Sequence, residues 1–336
     1  MSLQTIGDLA QSFALRRQSV ELTRQMDRLT LELSSGEAAD LSRHLSGNLF
    51  QISDIDRELG LLGTHRDTAR LASTDARLMQ TALSRVQDES AALAASALTA
   101  GATVGQVPVA TLAVQARDAL GAMIGALNGD AGGRALFSGT LTDRAPLASG
   151  ESLLSGLRAA VAGATSVAEM TQRLDGFFDD PAGGFATTIY RGGDTGLQPN
   201  DLGSGEAVAL DIKANDPRLR DQIRQVALAA LLDDDALPLT QETRRDLARD
   251  VGERLLNGQN GVTQLRADLG SAEARIGQAE SRIAAETTAL RIARNDLVSV
   301  DVFETAGELE QVQFQLETLY TLTARAARLN LVNFLS

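Results

Sequence analysis

The sequence predicts a mainly α protein: long antiparallel coiled-coil-like helices drawn from both chain ends, with a small α+β domain inserted between them. Three observations predict it. All six prolines lie between Pro108 and Pro238, and half of the 30 glycines fall between Gly129 and Gly205. Pro and Gly cost a helix interior about 3 and 1 kcal/mol relative to Ala, so the ends are free to form long helices while the middle is turn-rich. An apolar seam recurs every seven residues near the C-terminus, and an alanine-rich stripe of helical spacing occupies the N-terminal third. The composition, 43% hydrophobic in 336 residues but only 3% aromatic, supplies small side chains for close helix packing rather than a bulky core.

The elements follow in chain order. At the start, Leu3, Ile6, Leu9 and Phe13, then Leu22, Met26, Leu29 and Leu33, mark an amphipathic segment. Leu41, Leu45, Asn48, Ile52, Ile55, Leu59 and Leu62 continue into Ala69, Ala72, Ala76, Met79, Leu83, Val86, Ser90, Leu93 and Ala97, a long rod helix whose second column slips one position near Arg66. Such a slip is what 3.6 residues per turn imposes on a seven-residue repeat. After the turn from Gly101 to Pro108, Leu112, Ala116, Leu120, Met123 and Leu127 predict a third helix. In the insert, Leu153 to Phe178 reads as helical, and Ala186–Tyr190 and Ala207–Ile212 alternate as two strands joined through the turn-rich Gly192–Gly205 segment. Pro217 to Leu232 reads as a helix with Asp216 as N-cap and Pro217 in its first turn.

The strongest periodicity comes last. One column reads Val262, Leu269, Ile276, Ile283, Leu290 and Leu297; the other reads Leu265, Ala272, Ala279, Glu286, Ala293 and Val300. Sustained over more than five heptads, this is a coiled-coil seam extending roughly 58 Å at 1.5 Å per residue. A terminal stripe, Leu309, Val312, Leu316 and Leu319, leads into the apolar finish Leu329, Leu331, Val332, Phe334 and Leu335. A patch this dense calls for cover, so the termini bury either one another or a surface of a second subunit. The expected domains are 1–36 with 303–336, a terminal helical pair; 37–138 with 240–302, a helical rod; and 139–239, the insert.

The residues offer little chemistry. The net charge of -13 disfavours nucleic acid and anionic lipid surfaces, and no basic cluster offsets it. With no cysteine there is no disulfide, thiolate nucleophile or Cys-ligated zinc. Lys213 is the only lysine, which confines Schiff-base chemistry to one position. His44 and His65 stand 21 residues apart, about 30 Å along a helix, too far to share a metal. His65 reads as a seam residue and His44 as solvated. The acidic clusters Asp179-Asp180 and Asp233-Asp234-Asp235 lack EF-hand spacing, and Arg191-Gly192-Gly193-Asp194-Thr195-Gly196 lacks the ending of a phosphate loop. No GxSxG nucleophile elbow occurs. The expectation is a protein that is not an enzyme and holds no catalytic site, cofactor or metal. No apolar run is long enough to cross a bilayer. Met1 to Asp8 lacks the basic and apolar regions of a cleaved signal.

Two segments carry a resemblance. Gly133-Arg134-Ala135-Leu136-Phe137-Ser138-Gly139-Thr140 is similar to the Gly-Arg-x-x-Phe-x-Gly segment with which flagellin-like axial proteins of the bacterial flagellum leave their helical core, and Leu33-Ser34-Ser35-Gly36 is similar to the turn between their terminal and rod helices. Ile189-Tyr190-Arg191-Gly192-Gly193-Asp194 extends the likeness into the insert. The usual Asp pair after the terminal turn is replaced by the single Asp40. The finish from Thr323 to Leu335, closing in Asn333-Phe334-Leu335, resembles the hook–filament junction members of this family, the third hook-associated type, more than flagellin, the filament subunit.

The resemblance implies a flagellin-like fold and a structural role joining the first hook-associated protein to the flagellin filament. It implies export without a cleaved signal through the flagellar type III apparatus, an extracellular location on the flagellum, a chaperone that holds the C-terminal segment, and assembly with copies of itself in a ring. Residues 1–36 and 303–336 would then line an inner tube. Leu3, Ile6, Leu9, Phe13, Leu309, Val312, Leu316, Leu319, Leu329, Val332, Phe334 and Leu335 would form the assembly interface, and Val262, Leu269, Ile276, Ile283, Leu290 and Leu297 the rod seam. Flagellin itself, and a monomeric helical scaffold carrying an enzymatic or binding insert, are the alternatives.

Overall fold

The computed structural model describes residues 3–104, 107–234, 237 and 239–335, with side chains described for residue 10 and for those of 12–325 among them. Contacts divide the chain into two compact units: residues up to Leu62 with those from Ala285 onward, and Gly63–Ala284. The mainly α reading holds, with two small two-stranded sheets among the described residues.

The first unit contains α1 (Leu3–Ser35), α2 (Leu41–His44), the start of α3 (Phe50–Ala102), the end of α8 (Gln241–Val298) and α9 (Val302–Leu335). Gly36 ends α1 at φ +73, a left-handed conformation that a residue without Cβ adopts freely, and its N–H bonds Glu32 O at 2.8 Å. Asp301 starts α9 by accepting from the N–H groups of Phe303 and Glu304 at 2.8 and 3.1 Å. The long N-terminal stripe is not helical throughout. Asn48 lies in a turn between α2 and α3, where Ser46 and Gly47 take positive φ.

The second unit holds the rest of α3 and α8, with α4 (Val107–Leu127), α5 (Gly150–Val161), α6 (Val167–Asp179) and α7 (Pro217–Leu231). Here α3 and α8 run antiparallel. Gln80 donates to Arg266 O at 2.7 Å, Gln87 donates to Thr263 at 3.1 Å, Leu98 faces Gly252, and Gly101 faces Arg249, so numbers rise on one helix as they fall on the other. The glycines allow the close approach: a Cβ on Gly101 would fall 2.8 Å from Arg249 Cβ, and one on Gly252 would fall 2.8 Å from Leu98 Cγ. The predicted alanine-rich column from Ala69 to Ala97 is buried throughout, as is the α4 stripe Leu112, Ala116, Leu120, Met123 and Leu127. α4 packs on α5 and α7 over this core.

Three local readings need correction. Leu153 to Phe178 is two helices, separated by a turn in which Gly163 has φ +73 and Ser166 caps α6. Ala186–Tyr190 is not a strand: Phe185–Ile189 forms one π-helical turn closed by Tyr190 N–H to Phe185 O at 2.7 Å. Burial of Phe185 and Ile189 on one side accounts for it, because apolar residues four apart define a helical face as readily as alternation defines a strand. Of the Ala207–Ile212 strand only Ala207–Val208 (β4) pairs, with Asn200–Asp201 (β3); a second hairpin joins Asp130–Ala131 (β1) to Arg134–Ala135 (β2). α7 begins as expected, with Asp216 accepting from Arg218 N–H at 2.9 Å and Pro217 in its first turn.

Candidate assembly surfaces

In the first unit α1 packs on α9 through Leu22 and Leu29 against Val312, Leu316 and Leu319, with Leu15, Met26 and Leu309 half-covered at its edge. Thus Leu309, Val312, Leu316 and Leu319, expected at an assembly interface, already face a helix of their own chain. Phe13 is 74% exposed on the opposite face of α1. The side chains of Leu3, Ile6, Leu9, Leu329, Val332, Phe334 and Leu335 lie outside the described residues.

Where these helices meet the rod, polar groups are consumed in pairs. Ala38 N–H bonds Val298 O at 2.8 Å and Val300 N–H bonds Gly36 O at 3.0 Å, around a bridge between Glu37 and Ser299. The buried Glu32 carboxylate accepts from Arg28 and from Ala39 N–H at 3.1 Å each. Arg294 reaches Asp56 at 2.9 Å and Glu37 at 3.7 Å.

The apolar residues left outside this arrangement are large: Val20, Leu31, Phe303, Phe314, Tyr320 and Leu322 are all exposed. Every charged residue between Asn295 and Ala324 is acidic, whereas the exposed face of α1 carries Arg16, Arg17 and Arg24.

Along α8, Val262, Leu269, Ile276 and Ile283 are buried, and Leu290 and Leu297 are half-buried. In the companion column Leu265 and Ala279 are buried, Ala272 and Glu286 half-buried, Ala293 exposed, and Val300 beyond the helix end. The buried residue nearest that end is Val298, one position after the strict heptad, as a straight helix drifting against a seven-residue repeat requires.

The two motif segments lock together. Gly193 N–H bonds Ser138 O at 2.7 Å and Thr140 N–H bonds Thr195 O at 3.0 Å. Gly139, at φ +58, sits so close that a Cβ would fall 2.6 Å from Thr195 O and 2.8 Å from Gly193 O. Phe137 is fully buried beneath, and the Tyr190 hydroxyl donates to Gly193 O at 2.8 Å. Burial first, and then Asp194 and Asp211, push the Tyr190 phenol up to about 12. Lys213 Nζ donates to Asp194 O at 2.7 Å. This is a turn held by backbone bonds, with Lys213 spanning it.

Sequence reasoning missed the anchoring of the β3–β4 hairpin. Arg282 pairs with Glu206 at 2.9 Å and donates to Leu202 O at 3.1 Å, while Arg275 donates to Ala207 O at 2.9 Å. The hydrogen bond from Arg282, with help from Arg275, holds the Glu206 carboxyl below the usual carboxylate range. The half-buried His65 ring lies against Gly203 of the same hairpin, and His44 is exposed. The two arginines stand seven residues apart on one helix, and that spacing was the available signal. Nearby, Arg134 bonds Asp75 at 2.6 Å across a cavity of about 310 Å³ lined by Met79, Leu197 and Leu210.

Two of the clustered acids are paired with arginines. Asp179 pairs with Arg220 and Arg224, and Asp234 with Arg158. Among the described residues no group of three His, Cys, Asp or Glu is placed to hold a metal, and no helix is long and apolar enough to cross a membrane.

These geometries define a helical protein whose features are packing faces and interlocked turns. Residues 257–335 match the family model of the bacterial flagellin C-terminal helical region. A solved structure from Vibrio parahaemolyticus described as a flagellar hook-associated protein is similar at 14% identity and a TM-score of 0.44, over 73% of this chain and 91% of that one. No curated protein matches the chain.

Proposed function

We propose that the chain is a non-enzymatic structural subunit of the bacterial flagellum that joins the hook to the flagellin filament. The observation that carries a flagellar role is the family match over 257–335, which spans the seam part of α8 and all of α9. The junction assignment is supported by the ending through Asn333, Phe334 and Leu335.

In this reading residues 1–36 and 303–336 form the inner layer, 37–138 and 240–302 the rod, and 139–239 an outer insert. The partners are the first hook-associated protein, flagellin, copies of the same chain, and an export chaperone on the C-terminal segment. The protein reaches the cell exterior by flagellar export. A second reading, the filament subunit itself, is favoured by the description of the matching family, which names flagellin.

Immunogold labelling of intact cells separates them. A narrow band at the distal end of the hook is the expected result; labelling along the whole filament supports the filament subunit, and an unlabelled flagellum overturns both. Deleting Thr305 to Ser336 is expected to abolish filament attachment while leaving the insert folded, and attached filaments of normal strength would count against the assembly role.

A further inference from the structure

We propose that α8 has a second state, in which the helix opens at Gly258 and the side-chain amide of Gln222 takes up the backbone hydrogen bond that is released. The inference is independent of the flagellar reading and stands on the packing of α7 against α8 within the second unit.

Along α8 the inward column steps by three and four residues: Ala248, Val251, Leu255, Gly258, Val262, Leu265 and Leu269. Six of the seven are buried apolar side chains, and Gly258 has no side chain at all. The gap is filled from α7. A Cβ on Gly258 would strike Gln222 Nε2, so the amide lies against the α8 backbone where the other inward positions present a hydrocarbon. Gln222 is fully buried, and neither its Nε2 nor its Oε1 has a hydrogen-bond partner among the described residues. Gln225, three residues on, is 3% exposed, and its Oε1 is unpartnered too.

A buried amide without a partner is rare in a native fold and calls for an explanation. The groups nearest to this one are the peptide units of α8. In an α-helix the C=O of Gly258 accepts from the N–H of Val262. Breaking that bond frees one acceptor and one donor, and a primary amide offers an NH2 and an oxygen, so Gln222 is the complement of what the opening exposes. Insertion of a side chain into the backbone ladder is an established cause of helix bending. The sequence weakens α8 at the same place: Asn257-Gly258-Gln259-Asn260-Gly261 sets two glycines and two asparagines, all poor helix formers, within a helix of 58 residues. On the side facing α3 the helix is held, since Gln259 donates to Gln87 O at 3.4 Å and Gln87 donates to Thr263 at 3.1 Å. The opening is therefore toward α7, between the buried Leu255 and Val262, and it gives α8 a point at which to bend.

Hydrogen exchange of the full-length chain, read by mass spectrometry on short overlapping peptides, tests this. Amides from Gly258 to Val262 are expected to exchange about tenfold faster than those of Val251–Leu255 and Leu265–Leu269 on either side. Gln222→Met fills the same space but cannot take the released bond, and it should bring that ratio close to one. The double variant Gln222→Ala with Gly258→Ala, in which the new methyl occupies the space and a good helix former replaces glycine, should do the same. A general gain in stability slows all these amides alike and keeps the ratio, so the ratio and not the rate carries the test. Uniform exchange across 251–269 in the unaltered chain would overturn the second state. A tenfold ratio that survives in both variants would overturn the role of Gln222 in it.

Discussion

The hydroxyl of Tyr190 donates to the carbonyl oxygen of Gly193, three residues on, and closes the turn whose backbone is bonded to Ser138 and Thr140. Burial raises the phenol to about 12. A folded-state value above the unfolded one means the neutral phenol stabilises the fold below about pH 10, and that this contribution is lost as pH rises from 10 toward 12. Tyr190→Phe should cost about 1–2 kcal/mol at pH 7, because the Gly193 carbonyl loses its buried donor, and should flatten the decline above pH 10. Urea midpoints at pH 7, 9.5 and 11 for both proteins check this.

Gly139→Ala is expected to cost more. Its φ of +58 and the two carbonyl oxygens within 2.8 Å of the missing Cβ leave an added methyl no room, a loss of about 2–4 kcal/mol from strain and overpacking. Hydrogen exchange should show Thr140 and Gly193 amides losing protection first. An unchanged melting temperature would refute the interlock.

Arg282→Ala should free the β3–β4 hairpin, raising protease cleavage between Asp201 and Glu206 while α3 and α8 stay protected. The same cleavage should rise on acidification. Glu206 has its folded pKa depressed, so its contribution is present above the unfolded value and is lost as pH falls through the folded one. Limited proteolysis at pH 7 and pH 4 with an acid-tolerant protease gives the readout.

Gln222 in α7 is fully buried, and neither its amide nitrogen nor its oxygen has a hydrogen-bond partner among the described residues. Gly258 of α8 leaves it space: a Cβ there would strike the Gln222 amide. Replacing the amide by an apolar group of similar length, Gln222→Met, should stabilise the second unit by about 1–2 kcal/mol by removing an unpaired buried dipole. Gly258→Ala should destabilise it. Thermal melts of the two variants should move in opposite directions.

The helical ends were legible because breakers and periodicity agreed there: no proline interrupts either end, and Ala69 to Ala97 and Val262 to Ile283 lie buried where their spacing puts them. The insert was less legible. Five residues from Ala186 to Tyr190 can satisfy both an alternating and a helical pattern, and only the packing of Phe185 and Ile189 decides between them. The turn at 162–166 carried its own signals, Gly163 and Ser166, outweighed by the apolar stripe on either side. The seven-residue spacing of Arg275 and Arg282 marked a shared helix face but not what it holds, because the targets of Arg282, the carbonyl oxygen of Leu202 and the carboxylate of Glu206, are some 80 residues away in sequence.

The sole lysine has a practical consequence. Lys213 Nζ is engaged with Asp194 O in the folded chain, so an amine-reactive reagent finds one side-chain target and finds it occupied. Acylation then requires the segment around Gly193 to swing open. The labelling rate becomes a clock for that opening, one that can be read on free chains and assembled material alike without adding a probe.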